Sequence, residues 1–316
     1  MDPQLIAQAV ALLRAGQLVV FPTETVYGLG ANALDPAAVE RIFTAKGRPP
    51  TSPLIVHVAG VAMARSLALV WPETAEKLAE HFWPGPLTLV VPKRPVICDR
   101  ITAGLPTVGL RMPRHPVALA LLREAGFPIA APSANPFTRL SPTTAAHVRE
   151  SLGSSVALVL DGGPCEVGIE STVLSVAGPE PVLLRPGMIT REQIEAVIGP
   201  VLLAAEAPPG AAHLAPGQHP RHYSPRTPLT IAGQDALPAQ GRGVFLFWSK
   251  PASASKSILL PKDPSECAAR LYGLLHELDG QGWDWIAVEP PPLGPEWQAI
   301  RDRLRRAAAL GSASLN

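Results

Sequence analysis

At 316 residues, 47% hydrophobic and 17% charged, the chain has enough apolar material for one to three globular domains, with two the expectation. Lysine and arginine total 27 against 26 acids, and the net charge of +1 excludes a global polyanion-binding character, so any nucleotide or nucleic-acid site must be a local patch. Cys98, Cys165 and Cys267 lie far apart without a CxxC, the first residues lack the basic-then-apolar form of a signal peptide, and no apolar run approaches the ~20 residues of a membrane span, so reduced thiols in a cytoplasmic protein are expected.

In chain order, residues 3–15 predict an amphipathic helix, followed by a strand over 17–21 and the loop FPTETVYGLG (21–30). Asp35 caps a helix over 36–45, and 53–58 (PLIVHV) reads as a strand. Helices over 61–69 and 73–82 lead to strands over 87–91 and 107–112. A helix over 116–125, a strand over 128–132, a helix over 143–152 and a strand over 156–161 follow. Residues 171–176 and 181–185 suggest a hairpin, and Thr190 caps a helix over 191–198. Mixed strands and helices predict an α/β domain with a mixed sheet over 1–203. Residues 204–228, rich in Ala, Pro and Gly and without apolar period, read as an extended linker. Strands over 229–233, 243–248, 257–261 and 285–289, with helices over 264–279 and 295–309, predict a smaller α/β domain over 229–316 with a largely parallel sheet. The 37 prolines, about 12% against a typical ~5%, fall mostly at the ends of apolar runs.

Gly28–Ala33 matches GxGxxA, but a dinucleotide fingerprint needs an acid at the end of the second strand, and 53–58 has none. The glycines are therefore read as a turn packing a helix against a strand. Neither a Walker A loop nor a GxSxG elbow occurs. Lys46, Arg48, Ser52 and His57 sit in or beside one Pro-rich loop, either a solvated turn or a phosphate grip in which arginine binds bidentately and lysine as a point charge. Thr107 and Arg111 share a strand face, where a buried arginine needs an anion. Ser133, Asn135 and Ser141 follow a strand's carboxyl end, as a polar turn or as ligand contacts. Ser171, Thr172 and Arg185 complete the clusters. Lys, Arg, Ser, Thr and Asn with few carboxylates make an anion site rather than an acid–base dyad or a metal cage. Trp248, Trp283, Trp285 and Trp297 read as core or interface. Arg301, Arg303, Arg305 and Arg306 form a basic stripe, either a solvated face or a contact for tRNA or a partner.

PTETVYGLG, KGRP…SPLIVHV, FWPGPLTLVV, TVGLRMPRHP, APSAN…SPT, GIESTV and VLLRPG occur in this order over residues 21–187. Together they resemble the Sua5/YrdC/YciO family, the L-threonylcarbamoyladenylate synthases. The segment APGQHPRHYSP (215–225), followed by a small α/β domain, is similar to the longer, two-domain Sua5 form. The resemblance implies a YrdC-like open twisted mixed sheet and a smaller Rossmann-like C-terminal domain joined by a Pro-rich linker. It implies formation of threonylcarbamoyl-AMP and pyrophosphate from L-threonine, bicarbonate or carbon dioxide and ATP, with Mg2+ accompanying ATP and no organic cofactor. The product would pass to a separate protein set that modifies adenosine 37 of tRNA. By the same resemblance, Thr25, His57, Ala131, Ser171 and Arg111 contact threonine. Lys46 and Arg48 bind phosphates, and Ser52, where the family often has Asn, touches ATP. Thr107, Ser133, Asn135, Ser141 and Arg185 line the nucleotide site, with His222 and Tyr223 of the linker folded over it as a lid. Lys46, Arg48 and Arg111 are the residues expected to stabilise charge during the reaction.

Overall fold

The structure, a computed structural model, describes residues 2–204 and 213–308. Residues 205–212 of the expected linker and 309–316 of the expected C-terminal domain lie outside the described residues. Four prolines start α-helices. Pro3, Pro36, Pro116 and Pro264 open α1 (Pro3–Arg14), α2 (Pro36–Lys46), α6 (Pro116–Ala125) and α9 (Pro264–Asp279), where a missing N–H costs nothing and the fixed φ suits the helix. Asp2, Asp35 and Asp263 cap three of these with side-chain oxygens. The remaining helices are α3 (Val61–Leu67), α4 (Glu73–Phe82), α5 (Asp99–Thr102), α7 (Ala145–Leu152), α8 (Arg191–Ile198) and α10 (Gln298–Ala307).

A mixed ten-stranded sheet contains β1 (Val19–Phe21), β2 (Gly28–Asn32), β3 (Ile55–His57), β4 (Leu87–Pro92), β5 (Thr107–Arg111), β6 (Ile129–Ala130), β7 (Leu158–Val159), β8 (Thr172–Ser175), β9 (Val182–Arg185) and β10 (Leu202–Leu203). Its order is β10-β9-β8-β4-β5-β3-β6-β2-β1-β7. A second, all-parallel sheet runs β11-β14-β12-β13, formed by β11 (Leu229–Ile231), β12 (Gly243–Phe247), β13 (Lys256–Leu259) and β14 (Trp285–Val288). Three apolar clusters belong to the large sheet. The smallest joins Val90, Val173 and Leu184 to Ala215, and two are larger. One takes in Val20, Leu29, Val56, Leu89 and Leu110, the other Val19, Phe21, Leu121 and Ile129. The cluster around the small sheet is not confined to it: Val26, Leu140, Ile169 and Tyr223 pack with Leu271, Tyr272, Ile300 and Leu304. Trp248 and Trp297 are buried in this cluster, and Trp285 in a separate one with Phe245 and Phe247, as a core role requires. No helix among the described residues is long and apolar enough to cross a membrane.

Four expectations need correction. Gly28 and Gly30 do not make a turn; they lie within β2, antiparallel to β1. Strand packing explains them: a Cβ on Gly30 would stand 2.9 Å from the Phe21 ring, 3.0 Å from Ile129 and 3.1 Å from the Val19 carbonyl. Strands expected over 128–132 and 156–161 shrink to two residues each, β6 being flanked by Pro128 and Pro132, which donate nothing to a ladder. The described part of the linker is not an extended tether. Ser224 N donates to Thr138 O (2.9 Å) and His222 N to Arg306 O (3.2 Å), tying 213–228 to both units. The arginines of α10 share no solvated face: Arg303 is 1% exposed and ion-paired, and Arg301 donates to Pro292 O and Gly294 O. Gly30→Ala should therefore cost about 1–3 kcal/mol of overpacking, read as a lower urea midpoint with an unchanged slope.

Candidate active site

The chain reversals at the ends of the central strands converge on one cleft of about 560 Å³. Parallel pairing of β3 with β5 sets His57 opposite Arg111, and β6 brings Ile129 against His57 from the other side. The segment after β6 adds Ala131, Pro132 and Ser133, the β1–β2 connection adds Thr23, Thr25 and Val26, and the approach to β8 adds Glu170 and Ser171. Arg185 ends β9, and Arg48 follows α2, whose last turn Gly47 closes in the left-handed region at φ 59°. Pro216, Gly217, His222 and Tyr223 of the linker form one wall.

Short polar links order these loops. The Thr23 hydroxyl donates to Val26 O (2.6 Å) and meets Thr25 Oγ1 at 2.8 Å; Thr25 Oγ1 in turn accepts from Arg111 Nη1 at 2.9 Å. Ser171 Oγ lies 2.8 Å from Thr88 Oγ1 and accepts from Arg185 Nη2 at 3.1 Å.

Charge is distributed unevenly. Arg111 faces Glu24 at 2.8 Å, both buried, in a geometry that is an ion pair but not an aligned hydrogen bond. Glu170 faces Arg303, again at 2.8 Å. Lys46, Arg48 and Arg185 are also buried, yet none has an ion-pair partner among the described residues. They donate to backbone carbonyls instead. Lys46 Nζ reaches Ser133 O (2.6 Å) and Asn135 O, Arg48 Nη2 reaches Pro53 O (2.9 Å), and Arg185 Nη1 reaches Pro216 O (2.9 Å). Carbonyl dipoles only partly replace water around a cation. Burial accordingly lowers all three: Lys46 well below its usual range with Arg48 adding repulsion, Arg48 to about 10, and Arg185 below the ordinary arginine value. A bound anion would reverse each shift. Burial, then Arg111, brings His57 down to about 3, so its imidazole is neutral and packs edge-on against Phe21. His222 is lowered well below its ordinary value by burial first, then by Arg48 and Lys46.

Of the residues singled out from the sequence, Thr25, Arg48, His57, Arg111, Ala131, Ser133, Ser171, Arg185, His222 and Tyr223 line this cleft. Lys46, Ser52, Asn135 and Ser141 do not. They lie buried around it, with Ser52 Oγ against His219 Nε2, Asn135 Nδ2 on Arg139 O and Ser141 Oγ on Glu170. Thr107 faces a smaller space of about 310 Å³ that shares Pro53, Leu54, Ile55 and Pro216 with the cleft. Thr23, Glu24, Glu170 and Gly217 also reach the cleft or its charge network, and sequence reasoning passed them over. Glu24 and Glu170 stand inside the quoted PTETVYG and GIESTV. Their partners lie 87 and 133 positions further along, beyond any local pattern.

The two carboxylates near the cleft are committed to arginines, and no group of three or more His, Cys, Asp or Glu among the described residues could hold a metal. This donor set does not build a resident cation site.

Residues 11–187 match the family described as Telomere recombination, comprising Sua5, YciO and YrdC, and residues 189–309 match the threonylcarbamoyl-AMP synthase C-terminal domain. A threonylcarbamoyl-AMP synthase of Bacillus subtilis is 46% identical over 97% of this chain and 93% of its own length. One of Pyrococcus abyssi is 42% identical over 95% and 93%. The crystal structure of P. abyssi Sua5 complexed with L-threonine superimposes with a TM-score of 0.92 and 40% identity, covering 98% of this chain and 95% of that one.

Two outcomes follow from the charge pattern. Glu24→Gln leaves Arg111 buried without its carboxylate and should cost about 3–5 kcal/mol; a double-mutant cycle with Arg111→Gln should recover much of that loss. His57 has a folded pKa of about 3 against 6.5 unfolded, so the unfolded chain binds the extra proton between those values. Its share of stability is whole above pH 6.5 and is lost as pH falls toward 3. The stability gap between wild type and His57→Gln should narrow over that window in urea titrations at stepped pH.

Proposed function

The chain belongs to the Sua5–YciO–YrdC family, and we propose from this premise that its cleft makes threonylcarbamoyl-AMP from L-threonine, bicarbonate or carbon dioxide, and ATP. The observation that carries the reading is the set of three buried cations, Lys46, Arg48 and Arg185, none of them in an ion pair among the described residues, beside the hydroxyls of Thr25 and Ser171. A triphosphate supplies the missing negative charge. A small hydroxy amino acid suits a pocket edged by Thr25, His57 and Ser171.

The chemistry needs no protein nucleophile. The threonine amine adds to carbon dioxide, releasing a proton and forming a carbamate. A carbamate oxygen then attacks the α-phosphorus of ATP, and the electron pair of the broken P–O bond leaves with pyrophosphate. In this reading, the reaction is a nucleotidyl transfer. Arg48 and Arg185 hold phosphate oxygens and offset charge as pyrophosphate departs, while Lys46 supports the same field from behind the wall. Arg111, kept in place by Glu24 and Thr25, meets the threonine carboxylate or the adjoining phosphate. Neutral His57 acts as a hydrogen-bonding wall for threonine rather than as a cation. Ser133 and Thr107 are assigned to the nucleotide, with Ser52, Asn135 and Ser141 supporting the loops that hold it. His222 and Tyr223 close over the cleft and exclude water from a labile mixed anhydride. Magnesium is assigned to the phosphate oxygens of ATP, arriving with the substrate. Release of product to a separate tRNA-modifying protein set, and a cytoplasmic location, belong to the same proposal.

The test is pyrophosphate release from ATP with threonine and bicarbonate each present or omitted. Release requiring both is expected. Release with threonine but indifferent to bicarbonate would indicate a plain aminoacyl-adenylate former, and no release in any combination would defeat the reading. In the active case, Arg185→Met should raise the KM for ATP about 10- to 100-fold, as expected for losing a charged donor worth ~1.5–3 kcal/mol.

A further inference from the structure

One buried charge belongs to the C-terminal unit and yet borders the cleft. Arg303 of α10 is 1% exposed, and its whole guanidinium is engaged. Nε donates to Glu170 Oε2 (2.8 Å), Nη2 to Glu170 O (3.3 Å) and Nη1 to Asp302 Oδ2 (2.8 Å), and the guanidinium carbon lies 5.2 Å from the centre of the Tyr223 ring. Glu170 and Tyr223 both line the cleft. Tyr223 holds a positive φ of 60°, unusual for a residue with a side chain, and its buried hydroxyl has no hydrogen-bond partner among the described residues.

The same helix seats the rest of the wall. Arg306 Nη1 donates to His219 O (2.8 Å), His222 N donates to Arg306 O (3.2 Å), and Ser224 Oγ donates to Ala307 O (3.3 Å). Tyr272 of α9 completes the arrangement: its hydroxyl donates to Glu170 Oε2 (3.1 Å) and its ring stacks on Tyr223 at 5.8 Å. A buried ion pair of this kind adds little stability over apolar residues of equal volume. Stability alone therefore does not account for an arginine at this place. Orientation does, because its two partners outside its own helix are both cleft residues.

We propose that Arg303 is a positioning residue for the cleft: it fixes Glu170 from behind and the Tyr223 ring across its face, so that the C-terminal unit determines where the 213–224 wall sits. This deepens the synthase reading and rests on it for the identity of the ligand, though not for the mechanical link.

The experiment combines amide hydrogen–deuterium exchange of the full chain with steady-state kinetics. In Arg303→Met, exchange over 213–224 should rise at least tenfold while that of β4 and β5 is unchanged. The KM for ATP should rise about tenfold with kcat within about threefold, and Arg303→Lys should restore part of both. Tyr272→Phe, which keeps volume and should fold even if Arg303→Met does not, should shift both in the same direction by less. Native exchange over 213–224 and a native KM in a folded variant would overturn the proposal. So would a loss of protection spread evenly over the chain, which would make Arg303 structural only. Absence of pyrophosphate release by the wild type would defeat the synthase reading, and the exchange result would still decide the mechanical link.

Discussion

Cations held out of water without carboxylates are the constraint on which this structure turns. Each buried donor on Lys46, Arg48 and Arg185 needs an acceptor, and a carboxylate acceptor would cancel the charge that the site exists to present. Backbone carbonyls meet the requirement. They carry a dipole but no net charge, so they solvate the cation partly and leave its field pointing outward. Carbonyls are free only where the chain leaves regular structure, and this places the cations at loops. Proline fits such loops well, since it supplies an acceptor without a second donor that would itself need a partner. Pro53 and Pro216 accept from Arg48 and Arg185 in this way. Part of the high proline content is thus tied to the electrostatics of the cleft, and part to the opening of helices.

Carboxylates answer two buried arginines directly. Glu24 pairs with Arg111, and Glu170 and Asp302 pair with Arg303, while Lys46, Arg48 and Arg185 have no ion-pair partner among the described residues. The asymmetry separates a face for a polyanion from a face for a zwitterion. An amino acid carries one charge of each sign and tolerates a paired arginine, whereas a triphosphate needs uncompensated positive charge.

Much of this was legible in the sequence, and the limits have physical causes. Helices with a capping aspartate and a following proline, such as α2 and α9, declare themselves locally. So does the hairpin of β8 and β9, whose strands centre on Val173–Leu174 and on Val182–Leu184. β2 was hidden because its glycines are required by contacts from Phe21 and Ile129, which no local pattern reveals. Arg111 and Arg185 stand out because an arginine in an apolar strand is conspicuous, and Lys46 and Arg48 because they lie two apart in a Pro-rich loop. The acidic members were missed because a lone glutamate in a polar motif looks like solvent-facing surface until its distant arginine is known. The basic stripe of α10 misled for the same reason. A helix rich in arginine reads as exposed, and only the position of Glu170 shows that Arg303 points inward.

The shared core around Val26, Ile169, Tyr223 and Leu304 sets an order of events during synthesis. A ribosome extends the chain at about 5–20 residues per second, and N-terminal segments fold first. The ten strands of the large sheet are all translated before β11, so its framework can assemble while the C-terminal unit is still being made. Glu170 and Tyr223 then wait for α10, the final helix described, to supply their partner. The cleft wall is fixed only after α10 has been made, and a nascent chain carries an open basin of positive charge until that moment.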